Sequence, residues 1–253
     1  MSADLVSGLI LSALAGLSTT LGSLLVTFVR KPGSRFMSLT LGFSAGVMLL
    51  LSFMELLAGG VEEVGFVSAY VAFFAGMVVM LLLDMTIPHE YMAERGHGGG
   101  AGNGLSRTAV LLVLGIAIHN FPEGMATLTG TLQDVSLGVA IALAIALHNI
   151  PEGLAVSLPV YAATGSRLKA FLWSFVAGVA EPVGAAAAAI VFLPFLDGTV
   201  LGVMLSAVAG IMVFISLDEL LPASRSFGEA HLSIVGLLAG MAVMVVSLGL
   251  IRW

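Results

Sequence analysis

Charged residues divide this chain into long apolar blocks. A helix needs about 20 apolar residues to cross the hydrocarbon of a bilayer, and eight blocks between the charges approach or exceed that length. Five are clean: Leu5 to Val29, Phe36 to Met54, Val64 to Leu83, Gly198 to Leu217 and Leu232 to Ile251. Three more lie between Arg107 and Asp134, between Asp134 and Arg167, and between Lys169 and Asp197, each interrupted near its middle by a glutamate. The pattern predicts an all-α integral membrane protein of eight transmembrane helices, at about 5–29, 36–57, 64–87, 107–130, 135–160, 168–193, 198–221 and 232–252. These make one membrane domain over 1–253. The first block lacks a basic leading region and is followed by Arg30, Lys31 and Arg35, so it is expected to be a retained span and not a cleaved signal.

Composition sharpens this picture. The residues are 59% apolar and only 9% charged, which a water-soluble domain could not carry and still cover its core. There is no cysteine, so disulfides and thiolate ligands are excluded and His, Asp, Glu, Asn and Met are left to hold a metal. No Lys/Arg-rich run suggests nucleic acid; lipid is the expected surroundings. Basic residues set the orientation. Of nine Lys and Arg, Arg30, Lys31, Arg35, Arg95, Arg107, Arg167, Lys169 and Arg225 fall in the loops after the odd-numbered spans, and Arg252 alone falls opposite. Both termini are therefore expected outside, where Asp4, Glu62, Glu63, Asp134 and Asp197 would draw cations toward the outer mouth.

The blocks also repeat. Residues 41–57, LGFSAGVMLLLSFMELL, align without gaps on 205–221, LSAVAGIMVFISLDELL, with eight identities in seventeen positions. The same offset of 164 lays Ala75-Gly76-Met77 on Ala239-Gly240-Met241. Spans one to three thus repeat as six to eight, and five spans of separation turn the copies over: an inverted repeat, the build of transporters with a midplane site. Between spans three and four, the connection 88–106 is glycine-rich and holds His89 and His97 in or beside it.

Spans four and five carry the chemistry. HNFPEG, His119 to Gly124, returns twenty-nine residues later as HNIPEG, His148 to Gly153, and a further twenty-nine separate Glu152 from Glu181. Residues four apart share a helix face, so His119 stacks with Glu123 and His148 with Glu152, flanked by Asn120 and Asn149. Pro122, Pro151 and Pro182 release carbonyls one turn back, and Gly124 and Gly153 let a neighbouring helix approach closely. An ionised acid at mid-membrane is costly, and three together repel one another unless divalent metal answers them. Three carboxylates and two imidazoles suit zinc, ferrous iron, manganese, cobalt, nickel or cadmium better than magnesium or calcium, with room for one ion or two. Other readings stay open: a proton or water pathway through a Glu/His relay, an intramembrane metalloenzyme, or polar residues that merely bond helices. The chain lacks HExxH and a nucleophile elbow, which weighs against catalysis.

On these residues the sequence resembles the ZIP (Zrt-, Irt-like) family of divalent-metal transporters, especially its bacterial zinc-uptake members. AEPVG, Ala180 to Gly184, in the sixth span completes the match. The resemblance implies a transporter and not an enzyme, in a bacterial inner membrane. It implies a binuclear site of His119, Asn120, Glu123, His148, Asn149, Glu152 and Glu181, with Met48 of the second span as a further candidate ligand. It also implies a three-plus-two-plus-three helix order, a homodimer, and an elevator-like motion of helices one, four, five and six past the others. Some relatives carry Gln and Asp where this chain has His148 and Asn149, which makes the second metal position here less acidic. Under the 164-residue offset Glu55 pairs with Glu219, so Glu55 is expected on the outer path to the site, and Asp84, His89, Asp218 and Glu219 on the cytoplasmic path.

Overall fold

The computed structural model describes residues 2–28, 33–85, 107–195 and 197–251, which hold helices and short connections and no strand. Helix satisfies every backbone amide within its own segment, as a chain in lipid requires. In chain order the helices are α1 (Ser2–Phe28), α2 (Ser34–Leu51), α3 (Ala58–Asp84), α4 (Arg107–Gln133), α5 (Val135–Thr164), α6 (Arg167–Phe192), α7 (Gly198–Ile215), α8 (Leu221–Arg225) and α9 (Ala230–Ile251). Two π turns, Ser52–Leu57 after α2 and Ser216–Leu220 after α7, continue those helices without a break. Among the described residues six stretches are long and apolar enough to cross a membrane, the longest of them Ser34–Asp84. That stretch cannot be one rod. It reverses at Gly65, whose φ of 76° and ψ of 164° only glycine adopts without strain.

Large apolar side chains cover the outside of the molecule as well as filling its core. Val67 is 74% and Ile190 77% exposed, while Asn120, Glu123, His148, Asn149, Glu152 and Glu181 are all at 0%. A lipid-facing exterior around a largely apolar core that holds this buried polar cluster accounts for that distribution. The protein is therefore built as an integral membrane protein, and its buried polar residues converge on one place.

Two groups of helices surround that place. Helices α1, α4, α5 and α6 pack against one another in every pairing, whereas α3 lies along α7 and α2 along α9; α2 meets the first group at α5, and α7 meets it at α4. At one end of the molecule Gln133 of α4 hydrogen-bonds the Glu63 carboxylate of α3 at 3.2 Å. At an end of α2, Arg35 pairs with Glu229 before α9 at 3.3 Å.

Each group is built around a pseudo-two-fold that reaches individual contacts. A Cβ on Gly46 would stand 2.1 Å from the Leu237 carbonyl oxygen, and one on Gly210 would stand 1.9 Å from that of Phe73. Each residue of the second contact is a residue of the first shifted by 164 positions, with the partners exchanged. Even the π turns correspond, Ser52 to Ser216. In the other group the shift is 162 between α1 and α6 and 29 between α4 and α5. It carries the contact of Gly153 with the Thr19 carbonyl onto that of Gly124 with the Glu181 carbonyl, both 1.8 Å from a notional Cβ. Such approaches, closed to any larger residue, hold helices together where lipid removes the hydrophobic drive.

Candidate metal centre

Three helices present the polar cluster. Helix α4 brings Asn120 and Glu123, α5 brings His148, Asn149 and Glu152, and α6 brings Glu181. Prolines lie within these helices at Pro122, Pro151 and Pro182, where the ring removes an amide donor and crowds the preceding turn. Helix nonetheless runs through all three positions.

Glu123 and His148 meet across the α4–α5 interface, Oε1 to Nε2, at 2.9 Å. Glu152 joins them: one ligand atom from each of Glu123, His148 and Glu152 lies within 4.8 Å of the others. Two carboxylates and an imidazole at that separation are close enough for one divalent ion to bind all three. Glu181 stands to one side, where its carboxylate accepts a hydrogen bond from the Asn149 amide.

The two asparagines are oriented by bonds that settle which atom faces which way. Asn120 Nδ2 donates to the Ala177 carbonyl of α6 and Asn149 Nδ2 to the Ala15 carbonyl of α1, both at 3.1 Å. A carbonyl only accepts, so nitrogen must face it and Oδ1 must face away. Both Oδ1 atoms are buried without a hydrogen-bond partner, which leaves an oxygen on each helix free to accept from a donor or bind a cation. The pairing 120–177 and 15–149 again follows the pseudo-two-fold.

The remaining predicted residues are spread more widely. The side chain of His119, and all of the 88–106 connection with His89 and His97, lie outside the described residues; the backbone of His119 is in α4. Met48 is fully buried in the apolar core of α2, one turn from Ser44, whose hydroxyl donates to the His148 carbonyl at 2.9 Å. Glu55 sits buried in the first π turn, and Asp218 and Glu219 occupy the second, exposed and half-buried respectively. Asp84 is buried at the C-terminal end of α3. None of these four acids belongs to the central cluster of Glu123, His148 and Glu152.

Sequence reasoning passed over three contributors: Ser44, the carbonyls of Ala15 and Ala177, and the part of α1 that faces the cluster. Helix α1 carries a signal in the chain itself. Residues 12–22, SALAGLSTTLG, align on 174–184, SFVAGVAEPVG, with Ser, Ala and both Gly in common.

The ZIP zinc transporter profile matches residues 91–248, well over half of the chain. The chain belongs to the ZIP family. It is 45% identical to the zinc transporter ZupT of Clostridium perfringens (strain 13), with 94% of each chain covered. Against the zinc transporter ZupT of Streptococcus mutans it is 45% identical, with 98% of each covered. Against that of Chlorobium phaeovibrioides it is 47% identical over 97% of this chain and 98% of the relative. As a ZIP protein it is a membrane transporter and not an enzyme, and the buried His/Glu cluster lies within the span of the family match.

Proposed function

We propose that this ZIP protein takes up divalent transition metal, zinc foremost, by exposing the cluster on α4, α5 and α6 alternately to the two sides of the membrane. The convergence of Glu123, His148 and Glu152, all fully buried in an apolar bundle, carries the proposal. The names of its relatives supply the metal, since ligand types alone admit iron, manganese, cobalt, nickel and cadmium as well. His119 and Glu123 with His148 and Glu152 would form one position. Asn120, Asn149 and Glu181 would extend it to a second through their oxygens, with Met48 at the margin.

The motion proposed is an elevator: α1, α4, α5 and α6 move as one body past α2, α3, α7 and α9. Supporting it, all six pairings within the first group are packed, while the pseudo-two-fold supplies two related arrangements of one fold. Eight spans in three-plus-two-plus-three order, both termini outside, a bacterial inner membrane and a homodimer complete the picture. Glu55 would lie on the outer path, and Asp84, His89, Asp218 and Glu219 on the inner one. An inside-negative potential favours inward movement of an uncompensated divalent ion by about 4.6 kcal/mol per 100 mV.

Metal flux into proteoliposomes tests the proposal. Glu123→Gln and His148→Ala are expected to reduce zinc uptake at least tenfold, and wild-type rates in both would refute the site. The hydrogen bond between Glu123 and His148 is also what a proton relay would use. Acidification of the vesicle interior in metal-free buffer would favour that reading instead.

A further inference from the structure

The pseudo-two-fold gives every polar member of the cluster a mate but one. Asn120 answers Asn149 and Glu123 answers Glu152, whereas Glu181 falls on Thr19 of α1. Backbone contacts fix the correspondence. A Cβ on Gly16 would lie 3.4 Å from the Glu181 Cβ, and a Cβ on Gly178, the mate of Gly16, would lie 3.4 Å from the Thr19 Cβ. The same pairs make α1 and α6 antiparallel where they cross.

Thr19 is fully buried, and its hydroxyl has no hydrogen-bond partner. Ser12 and Thr20 of the same helix are likewise buried without a partner, whereas a helical threonine commonly bonds the carbonyl four residues back. Thr127 and Thr131 of this chain do so, to the Glu123 and Thr127 carbonyls. For Thr19 that acceptor is the Ala15 carbonyl, already taken by the Ser18 hydroxyl at 2.6 Å and the Asn149 amide at 3.1 Å. The backbone of Thr19 is held as well, since its own carbonyl accepts from the Ser174 hydroxyl at 2.9 Å. A buried hydroxyl is costly to leave unbonded, yet the packing here denies it the local partner.

We propose that Thr19 is a specificity-determining residue of the metal site, a neutral oxygen donor set where its two-fold mate Glu181 sets a carboxylate. This rests on the metal-site reading of Glu123, His148 and Glu152. A second glutamate here would raise the number of buried carboxylates to four. It would favour hard ions such as magnesium and calcium, whose all-oxygen ligand sets draw on carboxylates. A hydroxyl keeps the oxygen and omits the charge. The site is thereby asymmetric, acidic on its α6 wall and neutral on its α1 wall.

Zinc and manganese binding to the purified protein in detergent, measured by calorimetry, tests this independently of transport. Thr19→Val and Thr19→Ala remove the hydroxyl at two sizes, and Thr19→Ser restores it. The expected result is a loss of affinity on the order of tenfold in both hydroxyl-free variants, greater for manganese than for zinc, with Ser close to wild type. Thermal unfolding of each variant shows whether it remains folded. Wild-type affinities in a folded Val or Ala variant, alongside lost binding in Glu123→Gln, would overturn the role of Thr19 alone. Wild-type binding in Glu123→Gln too would remove the metal site and, with it, this proposal.

Discussion

A carboxyl group at 0% exposure persists in an apolar bundle only where its polar atoms find partners. Glu123 is answered by the His148 ring and Glu181 by the Asn149 amide. Outside the bundle, Asp134 does different work. It caps α5, accepting from the amides of Ser136 at 2.9 Å and Leu137 at 3.1 Å. The Ser136 hydroxyl, then these amides, hold its carboxyl below the usual carboxylate range. A folded-state pKa that is depressed contributes stability fully above the unfolded value and loses it as pH falls through the folded one. Asp134→Ala should cost about 1 kcal/mol at neutral pH, and the gap from wild type in thermal unfolding should close in acid. At this scale the paired motifs were plain in the sequence, because histidine, asparagine and glutamate are rare at that depth. Thr19 and Ser44 were not, because hydroxyls are common in membrane helices and usually bond their own backbone.

Among the elements, α1 and α5 owe their close spacing to glycine. A Cβ on Gly153 would press on the Thr19 carbonyl at 1.8 Å, and backbone cannot swing aside as a flexible side chain can. Gly153→Ala should therefore push α1 from α5, destabilising by about 1–3 kcal/mol, whereas Gly33→Ala, with nothing within 4 Å, should leave the unfolding midpoint nearly unchanged. The all-helical class was legible because gaps between charges match the thickness of a bilayer. The repeat was legible in α2 and α7, where Met, Ser, Glu and paired small residues recur. Its extension to α1 and α6 followed from the span order alone, since the offset there is 162 instead of 164 and Leu for Val exchanges leave few identities. Nor does spacing announce that residues 58–64 stay helical and that the chain reverses at Gly65.

For the whole molecule, the proposed elevator requires α4 to slide past α3. Gln133 and Glu63 bridge those helices, and the chain has no cysteine of its own, so Glu63→Cys with Gln133→Cys gives one addressable pair. Joining it with a short bis-maleimide should stop zinc flux while each single variant, treated alike, still transports. Undiminished flux after complete cross-linking would count against relative motion of the two groups. The pseudo-two-fold has a consequence of another kind. A fold that nearly coincides with itself when turned over has no intrinsic top, so its packing offers little to tell an insertion machinery which way up to place it. That decision is left to the basic loop residues. Within the bundle, departures from the two-fold, such as Thr19 opposite Glu181 and Ser44 opposite Val208, distinguish one face of the membrane from the other.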